Sequence, residues 1–244
     1  MAKMIFANWK MNPGSIKEAV FFAREIDAEN LVICPPFPFL EAVHKAIKKS
    51  SLGAQDLFYE DEGAFTGEVS ARQLVDLGVK YVIIGHSERR RLGETDEIIT
   101  KKVEAAIRNG ITPILCVGET RSERDSGQSK KVIKNQLKTD LSLYPKPYTL
   151  NPIVAYEPVW AISTELGAKP DTPENALEMI QFIKKTLHPS PFTLNPKFIY
   201  GGSVNAKNAE SFLSQKEIEG ALVGGASLKP DEIKKILKIG VKSS

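Results

Sequence analysis

The amino-acid sequence predicts a (β/α)8 barrel formed by one domain over residues 1–244, and two observations indicate this fold class. Eight short apolar runs alternate with amphipathic segments along the chain, at about 30 residues per unit, the size of one right-handed βα step. Polar or glycine-containing segments directly follow these runs, where barrel enzymes build their active sites. Since no change of composition marks a linker, one closed barrel is favoured over two domains or an open sheet.

The eight runs that we interpret as strands are short and rich in Val, Ile and Tyr. Runs of this kind are typical of parallel strands buried on both faces. They span residues 4–7, 31–34, 52–54, 81–84, 112–117, 153–156, 198–200 and 221–223.

The segments between the strands have helical spacing of their apolar residues. One face of the first predicted helix carries Ile16, Val20, Ala23 and Ile26, and one face of the sixth carries Ala176, Met179, Ile180, Ile183 and Leu187. The sixth helix begins with Thr172-Pro173, an N-cap residue followed by proline at the first helical position.

Composition and charge argue against several classes of protein. The net charge is only +3, with 33 basic and 30 acidic residues, which is not typical of a nucleic-acid-binding surface. No run of about 18 apolar residues and no signal-peptide pattern occurs. Cys34 and Cys116 lie within apolar runs, without a disulfide framework or CxxC spacing, so a reducing compartment is indicated. We expect a cytoplasmic protein with no nucleic-acid, membrane or metal partner.

Glu157 is a carboxylate placed directly after the apolar run 153–156. Burial there would raise its pKa, which suits a general base. Pro158 and a segment of small and polar residues follow, and we interpret that segment as a candidate lid.

His86 and the pair Asn8 and Lys10 also follow predicted strands. If a short helix begins at Ser87, its dipole disfavours the imidazolium and keeps His86 neutral, able to donate a hydrogen bond to a carbonyl. Asn8 and Lys10 point the same way by the period of two, and could hold an oxyanion or phosphate. The alternatives are a structural histidine and a solvated lysine.

Two glycine pairs, Gly201-Gly202 and Gly224-Gly225, follow the seventh and eighth predicted strands. Such pairs are usually tight turns. In barrels, however, the loops after these strands form the common phosphate site. Neither pair matches a nucleotide-binding motif, so no nucleotide is implied.

Six sequence blocks resemble the signature blocks of the triosephosphate isomerase family, in that family's order and across essentially the whole chain. They are NWKMN (8–12), GHSERR (85–90), CVGE (116–119), YEPVWAI (156–162), YGGSV (200–204) and LVGGASL (222–228). Any one block is weak evidence, whereas six together are highly specific. The resemblance implies the TIM barrel architecture.

The resemblance implies the interconversion of dihydroxyacetone phosphate and D-glyceraldehyde 3-phosphate through an enediolate, in glycolysis and gluconeogenesis and without a cofactor. Glu157 would move a proton between two substrate carbons, and His86 would polarise the carbonyl. Lys10 would supply fixed positive charge and Asn8 a further donor. Glu88 would orient Lys10 or take part in proton relay.

The resemblance also implies a phosphate site and a lid that excludes water from an intermediate prone to lose its phosphate. The phosphate would bind N–H groups of Ser163, Ser203, Gly224 and Gly225. The lid would comprise Pro158, Val159, Trp160, Ala161, Ile162, Ser163, Thr164, Glu165, Leu166, Gly167 and Ala168. Ser163 and Glu165 replace the family's usual glycines. Ser163 keeps its amide, and a charge ~8 Å from the phosphate costs about 0.5 kcal/mol per unit charge, so we expect binding to persist.

Residues 63–70 resemble the family's projecting loop, which in a homodimer inserts into the neighbouring subunit. Phe65, Thr66 and Gly67 would form its tip, with Thr66 approaching the partner's active site; the alternative is an ordinary surface loop. Asp56 replaces the family's usual asparagine near the expected interface, so dimer stability is expected to depend on pH.

Two other functions remain open on the residues alone. A different phosphate-binding barrel enzyme, an epimerase or a lyase, would explain the glycine pairs but not Glu157, His86 and Lys10 together. A catalytically silent barrel that serves as a binding or scaffold protein would be consistent with the altered lid.

Overall fold

A computed structural model shows a closed barrel of eight parallel strands, each paired with its neighbours in chain order and the first with the eighth. It describes residues 2–142, 151–162, 167–187 and 195–243. The strands are β1 Met4–Asn8, β2 Leu31–Cys34, β3 Ser51–Ala54, β4 Tyr81–Ile84, β5 Thr112–Val117, β6 Ile153–Tyr156, β7 Lys197–Tyr200 and β8 Gly220–Val223. The predicted fold class is therefore confirmed, and each strand boundary agrees within one residue.

Helices surround the barrel and connect its strands. They are α1 Ile16–Ile26, α2 Leu40–Ala46, α3 Ala71–Asp76, α4 Ser87–Arg91, α5 Asp96–Arg108, α6 Arg121–Asp125, α7 Ser129–Asp140, α8 Pro173–Leu187, α9 Ala209–Leu213 and α10 Pro230–Lys242, with 3-10 turns at Phe37–Phe39, Val159–Ala161 and Gly225–Leu228. The predicted buried face of α8 is confirmed. The Thr172 hydroxyl accepts from the Asn175 N–H at 3.2 Å, so its capping role is confirmed too.

The predicted buried face of α1 is partly wrong. Ala19, Ala23 and Ile26 are buried, whereas Ile16 is 54% exposed and Val20 is half-buried. Ile16 is the first residue of the helix, and Val20 lies about 100° round the axis from Ala19. Both therefore lie at the margin of the apolar stripe that packs on the barrel.

Two apolar layers hold the fold together, one inside the barrel and one between strands and helices. Alternation along β6 shows the division, because Ile153 and Ala155 lie in the inner layer while Val154 and Tyr156 lie in the outer one. Glu157 follows with the inward register. The side chain of Glu157 is thereby directed towards the barrel axis at the carboxyl end of the strands.

Both cysteines are free and buried in the inner layer. Burial raises the pKa of the Cys34 and Cys116 thiols, which makes them packing groups rather than nucleophiles. In the described part of the chain, no helix is long and apolar enough to cross a membrane, and no group of His, Cys, Asp and Glu is arranged to hold a metal ion.

Candidate active site

The carboxyl ends of the strands surround a cavity of about 580 Å³. Residues from the ends of β1, β4, β6, β7 and β8 line it, including Asn8, Lys10, His86, Glu157, Gly201, Gly202, Ser203, Gly224 and Gly225. The structure therefore brings together most of the predicted site residues at the end of the barrel where such sites form.

Lys10 enters this cavity from the loop after β1. Its backbone has φ 53°, a left-handed conformation that costs a non-glycine residue about 1–2 kcal/mol. The Asn8 side chain accepts from the Lys10 N–H at 3.0 Å, and Gln55 Nε2 donates to the Lys10 carbonyl at 2.8 Å. Asn8 and Lys10 share the cavity as predicted, through this turn rather than through continued strand alternation.

The Lys10 ammonium is oriented by Glu88. Lys10 Nζ donates to Glu88 Oε1 at 2.6 Å, and both side chains are partly exposed. Since the cavity wall includes Lys10 but not Glu88, the ammonium faces the cavity while Glu88 holds it from behind.

His86 caps the N-terminus of α4, which begins at Ser87 as predicted. Its Nδ1 accepts from the Glu88 N–H at 3.2 Å. A neutral imidazole in this position carries its hydrogen on Nε2. That nitrogen lies 2.9 Å from Glu157 Oε1, on the side of the cavity.

Glu157 is buried and bonded through both carboxylate oxygens. Oε1 contacts His86, and Oε2 accepts from the Ser87 N–H at 2.8 Å. Gly118 permits this position of the strand end, because a Cβ there would lie 1.9 Å from the Glu157 carbonyl oxygen. Sequence reasoning assigned no role to Ser87 or Gly118, although both belong to the blocks it singled out.

The predicted rise in the pKa of Glu157 is wrong. Burial does act to raise it, but the charge and hydrogen bond of His86, the Ser87 N–H and the charge of Lys10 together lower the pKa below its usual value. The sequence showed the burial but not these partners. Glu157 is thus ionised at neutral pH.

The contact with Glu157 opposes the prediction that His86 stays neutral. Burial lowers the pKa of His86, but the negative charge and hydrogen bond of Glu157, with Glu88, outweigh it and raise the pKa above its usual value. The helix terminus and the Nδ1 contact favour neutrality. Departure of Glu157 from this pairing would remove the main influence that raises the pKa of His86 and would therefore favour the neutral imidazole.

We call Lys10, His86, Glu88 and Glu157 the mouth cluster. A second group of charged residues, Asp56, Arg89, Glu94 and Lys102, lies outside the cavity and we call it the closed cluster. Lys102 Nζ contacts Asp56 at 2.7 Å and also Glu94, and Arg89 contacts Asp56 at 2.9 Å and Glu94 at 2.6 Å. Asp56, expected near a subunit interface, is thus paired within its own chain.

The loops after β7 and β8 carry the predicted phosphate-binding residues Ser203, Gly224 and Gly225, which line the cavity. Gly224 and Gly225 introduce the 3-10 turn Gly225–Leu228, and a Cβ on Gly224 would lie 3.4 Å from Lys10 Cε. Ser203 Oγ donates to the Ala161 carbonyl at 2.9 Å, which links these loops to the candidate lid. Gly225 is exposed and Gly224 is half-buried, and backbone amides beside a lysine suit an anion.

The first half of the candidate lid is anchored to Glu119, a fully buried residue to which sequence reasoning gave no role. The Glu119 carbonyl accepts from the Val159 N–H at 3.1 Å, and Glu119 Oε1 accepts from Trp160 Nε1 at 2.9 Å. Gly167 has φ 71° at the far side. Ser163, Thr164, Glu165 and Leu166 lie outside the described residues.

The loop 63–70 lies at the surface. Phe65 packs on Phe58, with ring centroids 4.7 Å apart, yet remains 43% exposed. Thr66 and Gly67 are exposed as well. Part of Phe65 therefore finds an apolar neighbour in its own chain.

Comparisons with known proteins agree with this geometry. A family model described as Triosephosphate isomerase matches residues 3–240. Among curated relatives named triosephosphate isomerase, the one from Dictyoglomus thermophilum is 43% identical over 97% of this chain and 98% of its own length. That from Aquifex aeolicus is 44% identical over 97% and 99%, and that from Carboxydothermus hydrogenoformans 43% over 96% and 97%. The chain thus belongs to the triosephosphate isomerase family.

Proposed function

We propose that this chain interconverts dihydroxyacetone phosphate and D-glyceraldehyde 3-phosphate, with Glu157 as the base. The mouth cluster is the observation that supports the roles proposed for these residues. It places an ionised carboxylate 2.9 Å from an imidazole nitrogen, beside a lysine, on the wall of a cavity sized for a small phosphorylated substrate. The reaction itself is inferred from membership of the triosephosphate isomerase family.

In the proposed mechanism, Glu157 exchanges its contacts with His86 and the Ser87 N–H for the substrate. It takes a proton from one substrate carbon and returns it to the neighbouring carbon. Released from Glu157, His86 is neutral and donates from Nε2 to the oxygen on which negative charge develops. Contacts made only in the transition state are the ones that accelerate the step.

Lys10 and Asn8 complete the electrostatic environment in this proposal. Lys10 stabilises the enediolate and the phosphate dianion through fixed charge, and Glu88 keeps its ammonium in place at 2.6 Å. The phosphate binds amides of Ser203, Gly224 and Gly225, with Ser163 supplying a further amide from the lid 158–168. No cofactor takes part in these steps.

The decisive experiment is a coupled assay of the purified chain with dihydroxyacetone phosphate. We expect turnover, and no turnover would contradict the proposal in favour of the silent barrel. Activity with other phosphorylated sugars but not with trioses would favour an epimerase or lyase instead. Because these substrates belong to central metabolism, we place the chain in the cytoplasm.

We further propose a homodimer formed through the loop 63–70. The exposed Phe65, Thr66 and Gly67 support this, because a half-exposed aromatic at a loop tip is typical of an interface. Light scattering of the wild-type chain should give the mass of two protomers. Phe65→Asp should give the monomer mass, whereas Phe21→Asp, at an exposed position on α1, should remain dimeric.

A further inference from the structure

Arg90 lies on α4 four residues after His86, yet it does not line the active-site cavity. Its guanidinium instead spans the ends of two strands. Nε donates to the Gly85 carbonyl at 2.8 Å, and Nη2 donates to the Cys116 carbonyl at 3.3 Å. Gly85, with φ 72°, is the residue directly before His86, so this contact fixes the peptide from which the imidazole projects.

Two carboxyl groups hold Arg90 in this position. Nη1 contacts Asp96, at the start of α5, and Nη2 contacts Asp140 Oδ2 at 2.8 Å, at the end of α7. A Cβ on Gly85 would lie 3.1 Å from Arg90 Nη2, so the guanidinium fills the space behind the turn. We call Arg90, Asp96 and Asp140 the Arg90 clamp.

The charges of the Arg90 clamp do not balance if both carboxyl groups are ionised. One guanidinium would face two carboxylates, and the Asp140 side chain is fully buried. Its Oδ1 is buried and accepts no hydrogen bond from the residues that the structure describes. A buried carboxylate oxygen without a donor is costly, whereas a protonated oxygen could donate to a neighbouring carboxylate.

Among the described residues, the charged groups that face Asp140 come from two elements, α4 and α5. Arg90 on α4 lowers the pKa of Asp140, and Asp96 on α5 raises it through both its charge and its hydrogen bond; burial is the largest influence and raises it, to about 7 in total. Thr100 on α5 donates to the Thr139 carbonyl at 2.8 Å and so does not neutralise the carboxyl. A proton between Asp140 and Asp96 removes the excess charge.

We propose that Asp140, as the neutral acid sharing its proton with Asp96, is a positioning residue that completes the Arg90 clamp and thereby directs His86 towards the reacting atoms. This rests on the function proposed above. Asp140 touches neither substrate nor the mouth cluster and acts through Arg90 and the Gly85 peptide. Small displacements of a catalytic group reduce rate steeply, so loss of the clamp should lower kcat and leave KM nearly unchanged.

The first test compares two substitutions at pH 6. Asp140→Asn keeps an acceptor for Arg90 and supplies a donor towards Asp96, as the protonated acid does, so its kcat should stay within about twofold of wild type. Asp140→Ala removes both and should lower kcat at least about tenfold, with KM within about twofold. Equal losses in both variants, or no loss in Asp140→Ala, would overturn the proposal.

The second test measures the free energy of unfolding against pH and needs no activity. Because the pKa of Asp140 is raised to about 7 from about 3.9 when unfolded, the folded state binds its proton more tightly. The stabilisation that the Asp140 proton gives the wild-type fold is therefore lost as pH rises from about 4 to 7. The free energy of unfolding of Asp140→Asn minus that of wild type should therefore rise from about pH 4 to 7 and stay constant above about pH 7.

Asp125→Asn is the matched control, since Asp125 forms an exposed i,i+4 pair with Arg121. It should show no such window. A fixed difference between Asp140→Asn and wild type across pH 4–8 would mean that Asp140 is ionised throughout and would refute the proton assignment. If the wild type proves inactive, the proposed function fails, while this pH test still decides whether Asp140 holds its proton.

Discussion

The mouth cluster and the closed cluster are both built from lysine, carboxylates and a further cationic or ionisable group. Lys10, His86 and Glu157 of the mouth cluster line the cavity, whereas no member of the closed cluster does. In the closed cluster, Lys102 is 3% exposed and bonded to both Asp56 and Glu94. In the mouth cluster, Lys10 contacts one carboxylate, that of Glu88, and His86 contacts the carboxylate of Glu157. The difference lies in access to the cavity and in how completely each charge is paired.

This difference separates a structural role from a chemical one. In the closed cluster each carboxylate contacts two cations, Lys102 and Arg89, and contacts of this kind hold elements together. In the mouth cluster the contacts of Glu157 with His86 and the Ser87 N–H involve the atoms to which the proposed mechanism assigns the substrate. A substrate can therefore exchange with them in the mouth cluster, whereas breaking the closed cluster leaves charges buried without partners.

Glu157→Gln should produce the largest effect on activity. The amide cannot accept the proton, so kcat should fall by at least about 10²–10⁴-fold, the usual contribution of a general base. Steady-state kinetics with dihydroxyacetone phosphate would measure this. Glu178→Gln, which changes an exposed glutamate paired with Lys130, is the control and should keep its rate. Near-native turnover in Glu157→Gln would exclude Glu157 as the base.

Replacing one lysine in each cluster should separate activity from stability. Lys10→Met should lower kcat/KM about 10²–10³-fold, as loss of one preorganised charge does, and alter the free energy of unfolding by less than about 1 kcal/mol, since Glu88 is partly exposed. Lys102→Met should destabilise the chain by about 3–5 kcal/mol, because two buried carboxylates lose their buried cation and keep only Arg89, whose side chain is 41% exposed.

Chemical unfolding and kinetics of the folded fraction would measure both lysine variants. The folded fraction of Lys102→Met should retain wild-type kcat. If Lys10→Met lost as much stability as Lys102→Met, the two clusters would not differ as described.

The sequence was sufficient to predict the barrel and the residues at its strand ends, because local apolar runs determine strand positions. It could not predict the pKa of Glu157, which depends on the Ser87 N–H and His86 some 70 positions away. The pairing of Asp56 with Lys102, 46 positions apart, was invisible for the same reason. Burial of a single residue is a local property, whereas its partners are set by the closed fold.

Glu119 shows a signal that could have been used. It follows the apolar run of β5 after one glycine, Gly118, whereas Glu157 follows β6 directly. Glu119 contacts Tyr156, Trp160 and Arg124 and does not line the cavity. The direction of a side chain after a strand end depends on the turn that follows. The sequence pattern therefore predicted the burial of Glu157 but made no prediction for Glu119, and it could not show which carboxylate reaches the cavity.

Asp56→Asn tests whether the closed cluster senses pH through the proposed dimer. Burial raises the pKa of Asp56, Lys102 lowers it, Glu94 raises it again, and the net direction is upward. Further burial at an interface would raise the pKa more, so the dimer would bind the proton more tightly and its dissociation constant would rise with pH. We expect a change of about threefold to tenfold between pH 4 and 8 in wild type and less in Asp56→Asn. Dissociation constants that stay flat in wild type would reject the idea.

The smallest expected effect is the pH dependence of the His86–Glu157 pair. The pKa of His86 is raised, so its stabilisation is fully present below the unfolded value of about 6.5 and is lost as pH rises through the folded value. The free energy of unfolding of wild type minus that of His86→Gln should therefore decrease as pH rises above about 6.5 and through the raised pKa of His86. Denaturant titrations at one fixed protomer concentration would measure it, since oligomers link stability to concentration. His44 lies at an exposed position of α2, and the control substitution His44→Gln should leave this dependence of the unfolding free energy on pH unchanged. A difference that grows with pH would show that Glu157 holds no cationic partner in the folded state. The contrast between the mouth cluster, whose contacts can exchange, and the closed cluster would then depend on Lys10 alone.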